Sequence, residues 1–141
     1  MDQRISFITI GVKNLEVMTK FYKEKFGWQP LKEMEGISFF LLNGFVLGLF
    51  PASELAADIG IPPGSTGFKQ FTLSVNFRSE EEVDRVVEDL KATGVHIVKS
   101  PEKVFWGGYS GYVSDPEGNY WELAYNPFAE LDSENNVTGH Q

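Results

Sequence analysis

Hydrophobic and polar residues alternate along this chain in a way that predicts the same order of elements twice. Residues 5–12 are rich in β-branched and aromatic side chains and predict a first strand. The next apolar residues recur at helical spacing, and they are Leu15, Met18, Phe21, Tyr22 and Phe26. Asn14 is placed to cap the start of this helix, and Gly27 is placed to end it. The chain therefore begins with a strand and an amphipathic helix.

Three short apolar runs follow the helix, over residues 28–33, 37–42 and 45–50, and each predicts a strand. Asn43 and Gly44 predict a hairpin turn between the last two strands, because both residues tolerate positive φ. The first part of the chain is therefore expected to form a β-α-β-β-β module.

The pattern changes after residue 51. Ser53 is expected to cap a short helix over residues 54–59, and closely spaced Gly and Pro residues then interrupt regular structure. We interpret this stretch as a linker. The resulting segments are module one at about residues 4–51, the linker at about 52–67, and module two at about 68–127.

Module two repeats the order of module one. Residues 68–77 predict a strand, and Ser79 with Glu82 has the spacing of a capping box. The helix that follows has an apolar stripe of Val83, Val86, Val87 and Leu90, and Gly94 ends it. Three strands are then predicted, over residues 95–99, 110–114 and 119–125. The polar residues 129–141 are expected to form a flexible tail.

A faint internal repeat accompanies the repeated order of elements. The matched pairs are Phe7 with Gln70, Thr9 with Thr72, Ile10 with Leu73, and Val12 with Val75. Two identical modules predict two four-stranded sheets curling around a shared cleft, and concave sheet faces of this kind bind small ligands.

Composition narrows the range of functions. The formal net charge of the 141 residues is -8, which argues against nucleic-acid binding because that requires a basic face. The absence of Cys excludes disulfides and thiolate metal sites. The N-terminal residues lack the apolar core of a signal peptide, and no apolar run reaches the length of a membrane span. We therefore expect a cytoplasmic protein that contacts no membrane.

The run over residues 105–127 contains an Asp-Pro-x-Gly-Asn turn at residues 115–119, followed by Tyr120 and Glu122. It resembles the closing motif of the glyoxalase, bleomycin resistance and dioxygenase (vicinal oxygen chelate) superfamily. Residues 8–15, with the aromatic residues after them, are similar to the opening strand and helix of that family. The resemblance implies an α+β fold in one domain over residues 1–128, with paired βαβββ modules forming a cup-shaped, mostly antiparallel sheet and helices outside.

The resemblance also assigns the positions that hold a metal ion in metal-bearing members, which fall here on Phe7, Gly48, Gln70 and Glu122. Phe7 has no electron pair to donate and Gly48 has no side chain. Stable divalent sites need three or four protein donors, so we expect no metal cofactor, or at most a weakly held divalent ion. His96 and His140 are expected to be incidental.

Strand alternation places Tyr120 on the same face as Glu122, and the same parity extends to the other family positions. The predicted ligand-binding residues are Phe7, Thr9, Phe50, Gln70, Thr72, Trp106, Tyr109, Tyr120 and Glu122. Residues 106–109 form either a lid over the ligand or an ordinary loop. Phe7 is alternatively a core residue, Gln70 alternatively satisfies backbone groups, and Glu122 is alternatively a solvated carboxylate.

Three functions remain open. The first is metal-free binding of a small, largely apolar organic ligand, which agrees with the missing metal donors. The second is a metal-dependent lyase, isomerase or dioxygenase, which would need a metal to chelate vicinal oxygens. The third is a metal-independent enzyme in which Glu122 acts as a catalytic general base. The resemblance also implies a homodimer as the possible assembly.

Overall fold

A computed structural model describes residues 3, 5–64, 68, 69 and 71–141. The chain divides into two compact units, unit one over Met1–Gly67 and unit two over Phe68–Gln141. Within the described residues, no helix is both long and apolar enough to cross a membrane.

Unit one forms a four-stranded sheet with two helices. Its elements are β1 (Phe7–Val12), α1 (Leu15–Glu24), β2 (Pro30–Met34), β3 (Ile37–Leu41), β4 (Val46–Pro51) and α2 (Ala52–Ile59). The strand order is β1-β4-β3-β2, in which β1 and β4 are parallel and the other pairs are antiparallel. The predicted β-α-β-β-β module is confirmed.

Unit two repeats this arrangement and adds a hairpin. Its elements are β5 (Leu73–Phe77), α3 (Glu80–Ala92), β6 (His96–Lys103), β7 (Tyr109–Ser114), β8 (Tyr120–Tyr125), β9 (Ala129–Leu131) and β10 (Val137–His140). The four-stranded sheet has the order β5-β8-β7-β6, with β5 and β8 parallel. The α+β class and the paired βαβββ modules predicted from the sequence are therefore confirmed.

In each unit one face of the sheet is buried under a helix, because apolar residues alternate along the central strands. In unit one the core includes Met18, Tyr22, Phe40, Leu47 and Leu49, and in unit two it includes Val83, Val87, Val113, Trp121 and Leu123. Residues between these positions along β4 and β8 point to the opposite face, which we call the open face. Candidate functional side chains lie on the open face.

The predicted caps fix where α1 and α3 begin. The side chain of Asn14 accepts a hydrogen bond from the Val17 amide at 3.0 Å, and Ser79 accepts one from the Glu82 amide at 3.2 Å. The Glu82 carboxylate accepts a bond from the amide of Arg78, one residue before the cap. Each of these bonds satisfies an amide that has no partner within the helix.

Several predicted boundaries differ from those in the structure. Helix α2 begins at Ala52 without a side-chain cap, so Ser53 lies within its first turn. Strand β5 begins at Leu73 instead of residue 68. Its pairing with β8 starts there, between Leu73 and Trp121. The residues expected to be a flexible tail contain the antiparallel hairpin of β9 and β10.

The sheet registers also correct the internal repeat. Thr9 pairs with Gly48 in unit one, and Ser74 pairs with Glu122 in unit two. Counting back from the equivalent helix caps likewise matches Phe7 with Thr72. The match of Phe7 with Gln70 was therefore shifted by two residues, and Gln70 itself lies outside the described residues.

Candidate functional site

Glu122 lies at the middle of the open face of unit two. Its strand, β8, runs between β5 and β7, so that both neighbours present side chains to its carboxylate. Ser74 on β5 donates its hydroxyl hydrogen to Oε1 at 2.9 Å, and Tyr112 on β7 donates to Oε2 at 3.1 Å. A carboxylate has about four acceptor positions, so each oxygen can accept a further bond from a ligand.

The surroundings of Tyr112 keep its hydroxyl protonated. Burial raises the pKa of Tyr112 above its ordinary value, and the charge of Glu122 and the hydrogen bond to it raise this pKa further. Tyr112 therefore remains a hydrogen-bond donor to Glu122 at neutral pH, which holds the carboxylate in one orientation.

A cleft of about 380 Å³ opens next to Glu122. Its lining residues all belong to unit two, and they are Ser74, Asn76, Trp106, Glu122, Ala124, Asn126, Phe128 and His140. Within the described part of the chain, Glu122 is the one carboxylate among them, and they include no Lys or Arg. The cleft therefore combines two aromatic rings with a single negative group and several neutral hydrogen-bonding groups.

Trp106 reaches this cleft from the turn between β6 and β7. The turn is closed by a hydrogen bond from the Val104 amide to the Gly108 carbonyl and another from the Gly107 amide to the Val104 carbonyl, each 3.0 Å long. The indole of Trp106 occupies the space where a side chain at position 108 would lie, so this placement of the ring depends on glycine there. Movement of residues 106–109 as a lid stays a prediction.

Tyr109 was predicted to bind the ligand, but it lies on the face opposite to Glu122. Its hydroxyl donates to the Asp84 carboxylate of α3 at 2.6 Å. This hydrogen bond, with smaller effects of burial and of the nearby acidic residues on α3, raises the pKa of Tyr109 to about 12. Strand alternation explains the placement, because Tyr109 differs in parity from Tyr112.

Tyr120 and Thr72, also predicted to bind the ligand, are not among the residues that line the Glu122 cleft. Tyr120 shares the open face but contributes to a separate shallow depression, with its ring 6.1 Å from that of Phe68. Thr72 is exposed and precedes β5. Gln70 lies outside the described residues, so its predicted roles stay untested.

Six of the eight lining residues were absent from the predicted set, and three of them, Asn126, Phe128 and His140, come from the C-terminal part of the chain. The side chain of Asn126 accepts a hydrogen bond from the Phe128 amide at 2.9 Å, which bends the chain after β8. An Asn that bonds to the amide two residues later is a recognised turn signal. With the turn-forming residues 132–136, it could have indicated the hairpin.

The equivalent place in unit one carries no side chain, because residue 48 is glycine. Gly48 pairs with Thr9 and Phe39, where Glu122 pairs with Ser74 and Tyr112. A β-carbon added at Gly48 would lie 3.4 Å from the Phe39 ring and from the Thr9 hydroxyl. Phe7 packs edge-on against Phe39 with ring centroids 6.0 Å apart, and 57% of its surface is exposed.

Phe50, the last predicted ligand-binding residue, shares the open face of unit one. It pairs with Gly11, above which Ala52 and Leu55 of α2 are packed. Phe7, Thr9 and Phe50 thus lie on one face, as strand parity predicted, and α2 covers the end of that face nearest Phe50.

The described residues at the family's metal positions do not fit a divalent metal ion. Phe7 and Gly48 have no donor atom in their side chains, so Glu122 is the one charged donor at these positions within the described residues. The structural equivalent of Phe7 in unit two is Thr72, whose neutral hydroxyl is a poorer ligand than imidazole or carboxylate. One carboxylate is a weak basis for holding a metal.

The sequence profile of the Glyoxalase/Bleomycin resistance protein/Dioxygenase superfamily matches residues 4–123. A crystal structure of a glyoxalase-related enzyme from Fulvimarina pelagi is 34% identical, with a TM-score of 0.88, and 99% of each chain is covered. The lactoylglutathione lyase from Agrobacterium tumefaciens is 23% identical with a TM-score of 0.70, over 89% of this chain and 96% of the other, and supports the fold alone.

A curated relative in Arabidopsis thaliana, a lactoylglutathione lyase, is 28% identical over 130 residues. The match covers 86% of this chain and 44% of the plant protein. The chain therefore spans less than half the length of this relative.

Proposed function

The chain belongs to the glyoxalase, bleomycin resistance protein and dioxygenase superfamily, and from this premise we propose that it binds a small, largely apolar organic molecule in the Glu122 cleft without a metal ion. The observation that carries the proposal is the position of the Glu122 carboxylate. Hydrogen bonds from Ser74 and Tyr112 orient it, and it lines a cleft together with the aromatic rings of Trp106 and Phe128.

The size and lining of the cleft support this function. Pockets for small molecules usually enclose about 300–1,000 Å³, and they combine apolar walls with a few placed polar groups. Trp106, Phe128 and Ala124 supply apolar surface, while Glu122 supplies an oriented acceptor. A flat molecule with a hydrogen-bond donor would satisfy both kinds of surface.

The names of the relatives favour a second candidate, a lyase acting on a glutathione adduct. That reaction needs a metal to chelate vicinal oxygens, and a glutathione adduct carries two carboxylates. In the Glu122 cleft such a substrate would meet a negative charge with no lysine or arginine among the described lining residues. We therefore rank binding above the lyase activity, and above catalysis by Glu122 as a base.

A binding experiment with 2-naphthol tests the proposal. Its hydroxyl can donate to the Glu122 carboxylate, and hydrogen bonds to ionised acceptors are about twice as strong as neutral ones. We expect saturable binding, measured by calorimetry and by quenching of tryptophan fluorescence, and a roughly ten-fold weaker affinity in Glu122→Gln. Glu88→Gln, on the exposed surface of α3, is the matched control and should bind like the wild type.

Equal affinity in wild type and Glu122→Gln, or no saturable binding, would contradict the proposal. A parallel assay follows turnover of the hemithioacetal of methylglyoxal and glutathione, with and without added Zn²⁺ or Ni²⁺. We expect no turnover in either condition. Turnover that depends on the added metal would establish the lyase instead, and turnover without metal that Glu122→Gln abolishes would establish catalysis by Glu122.

A further inference from the structure

We propose that the C-terminal hairpin is a part of the binding site and that His140 recognises the ligand through a hydrogen bond from its ring. This inference rests on the proposed function, because it assumes that the Glu122 cleft receives an organic molecule. It adds a specificity-determining residue from a segment that lies beyond the matched region of the family, which ends at residue 123.

The hairpin holds His140 in a defined place. Ala129 on β9 pairs with His140 on β10, and the Gln141 amide donates to the Phe128 carbonyl at 2.9 Å. The loop between the strands is closed by Asp132, whose side chain accepts bonds from the amides of residues 134 and 136. The imidazole therefore stays beside the Phe128 ring, with a centroid separation of 6.3 Å.

The hydrogen bonds around Asn126 determine which nitrogen of His140 carries the proton. The Phe128 amide donates to Oδ1 of Asn126, which leaves the amide group, Nδ2, facing His140. Nδ2 lies 3.3 Å from Nε2 of His140 and can only donate, so Nε2 acts as the acceptor. The proton of the neutral ring is then on Nδ1, and this N–H is a donor.

The cleft is thus lined by an oriented acceptor, Glu122, and by the His140 ring, which keeps a donor hydrogen on Nδ1. The rings of Trp106 and Phe128 line it with flat apolar surface. His140 is exposed, so its ring is accessible to a ligand. The complementary molecule is an uncharged aromatic compound with a hydrogen-bond donor at one end and an acceptor at the other.

Four bicyclic probes separate these features: naphthalene has neither group, 2-naphthol has the donor, quinoline has the acceptor, and 6-hydroxyquinoline has both. Calorimetry measures their affinities for wild type, His140→Phe and His96→Phe. Phenylalanine keeps an aromatic ring and removes the N–H, and His96 on β6 is exposed and outside the lining set, so it serves as the matched control. Thermal unfolding checks that each variant is folded.

We expect wild type to bind 6-hydroxyquinoline about three- to ten-fold more tightly than 2-naphthol, as one neutral hydrogen bond predicts. His140→Phe should remove this preference, while His96→Phe should retain it. If the preference is absent, or persists in His140→Phe, the inference is wrong although Glu122-dependent binding of 2-naphthol stands. If no probe binds, both the inference and the proposed function are wrong.

Discussion

The two units place different chemistry at the same position of the same sheet. In unit one the central residue of the open face is Gly48, between Thr9 and Phe39. In unit two it is Glu122, between Ser74 and Tyr112. Strand order and register are the same, yet one position packs an aromatic ring over a bare backbone and the other holds a hydrogen-bonded carboxylate.

This difference shows that the buried face specifies the fold and the open face is left to vary. Leu49 and Leu123 follow Gly48 and Glu122 directly, and both are buried against the helix layer of their own unit. The alternation of β4 and β8 therefore keeps one face constant while the other changes from apolar to polar. Of these two equivalent positions, the one in unit two carries the hydrogen-bonded carboxylate.

The largest effect is expected from truncating this shared buried face. Leu49→Ala and Leu123→Ala remove equivalent side chains that are 0% and 3% exposed, so each should lower the free energy of unfolding by about 2–5 kcal/mol. Urea unfolding followed by circular dichroism measures both. If the free energy of unfolding falls by less than about 1 kcal/mol in only one of the two variants, the two buried faces do not contribute comparably to stability.

An intermediate effect is expected on the pKa of Tyr112. Phe39 occupies the equivalent place in unit one and has no ionisable group, so this effect is specific to unit two. Glu122→Gln should lower the pKa of Tyr112 toward its ordinary value, since it removes the negative charge. The raised pKa of Tyr112 contributes stability that is present below about pH 10 and is lost as pH rises through the folded-state pKa.

Phenolate absorbance measures this titration, and Tyr112→Phe identifies its contribution in the spectrum. If Glu122→Gln leaves the titration of Tyr112 where it is in the wild type, burial alone accounts for the raised pKa. The negative charge of Glu122 would then have no measurable effect on Tyr112, and the two units would differ at this position only in the packing of their side chains.

The smallest effect is expected at Gly48. An added β-carbon would reach ordinary contact distance from Phe39 and Thr9, so Gly48→Ala should change the free energy of unfolding by less than about 1 kcal/mol. It should also leave the affinity for 2-naphthol unchanged. A large loss of binding would show that the open face of unit one takes part in recognition.

Local chemistry made most of the fold predictable. Asn14 and Ser79 were recognised as helix caps because a side-chain oxygen before an apolar stripe serves that purpose in any fold. The start of β5 was missed because residues 68–72 have strand-forming composition, and only the position of β8 decides where pairing begins. Such non-local pairing leaves no trace in the segment itself.

The candidate site was predictable in part for the same reason. Glu122 was predicted from the resemblance to the family, and its apolar neighbours along the strand indicated which face it occupies. Tyr109 was assigned to the ligand because aromatic residues beside glycines resemble a lid, whereas its parity in β7 directs it toward Asp84. His140 was missed, since short strands in a polar segment are indistinguishable from an unstructured tail until their partner is known.

The indole of Trp106 occupies the space that a side chain at position 108 would need, and the same ring lines the cleft. The size of residue 108 therefore limits where this ring can lie. A methyl group there would force the ring to swing aside, without altering any residue that touches the ligand's polar groups. A change of residue 108 would therefore alter one wall of the cleft without replacing any of the side chains that line it.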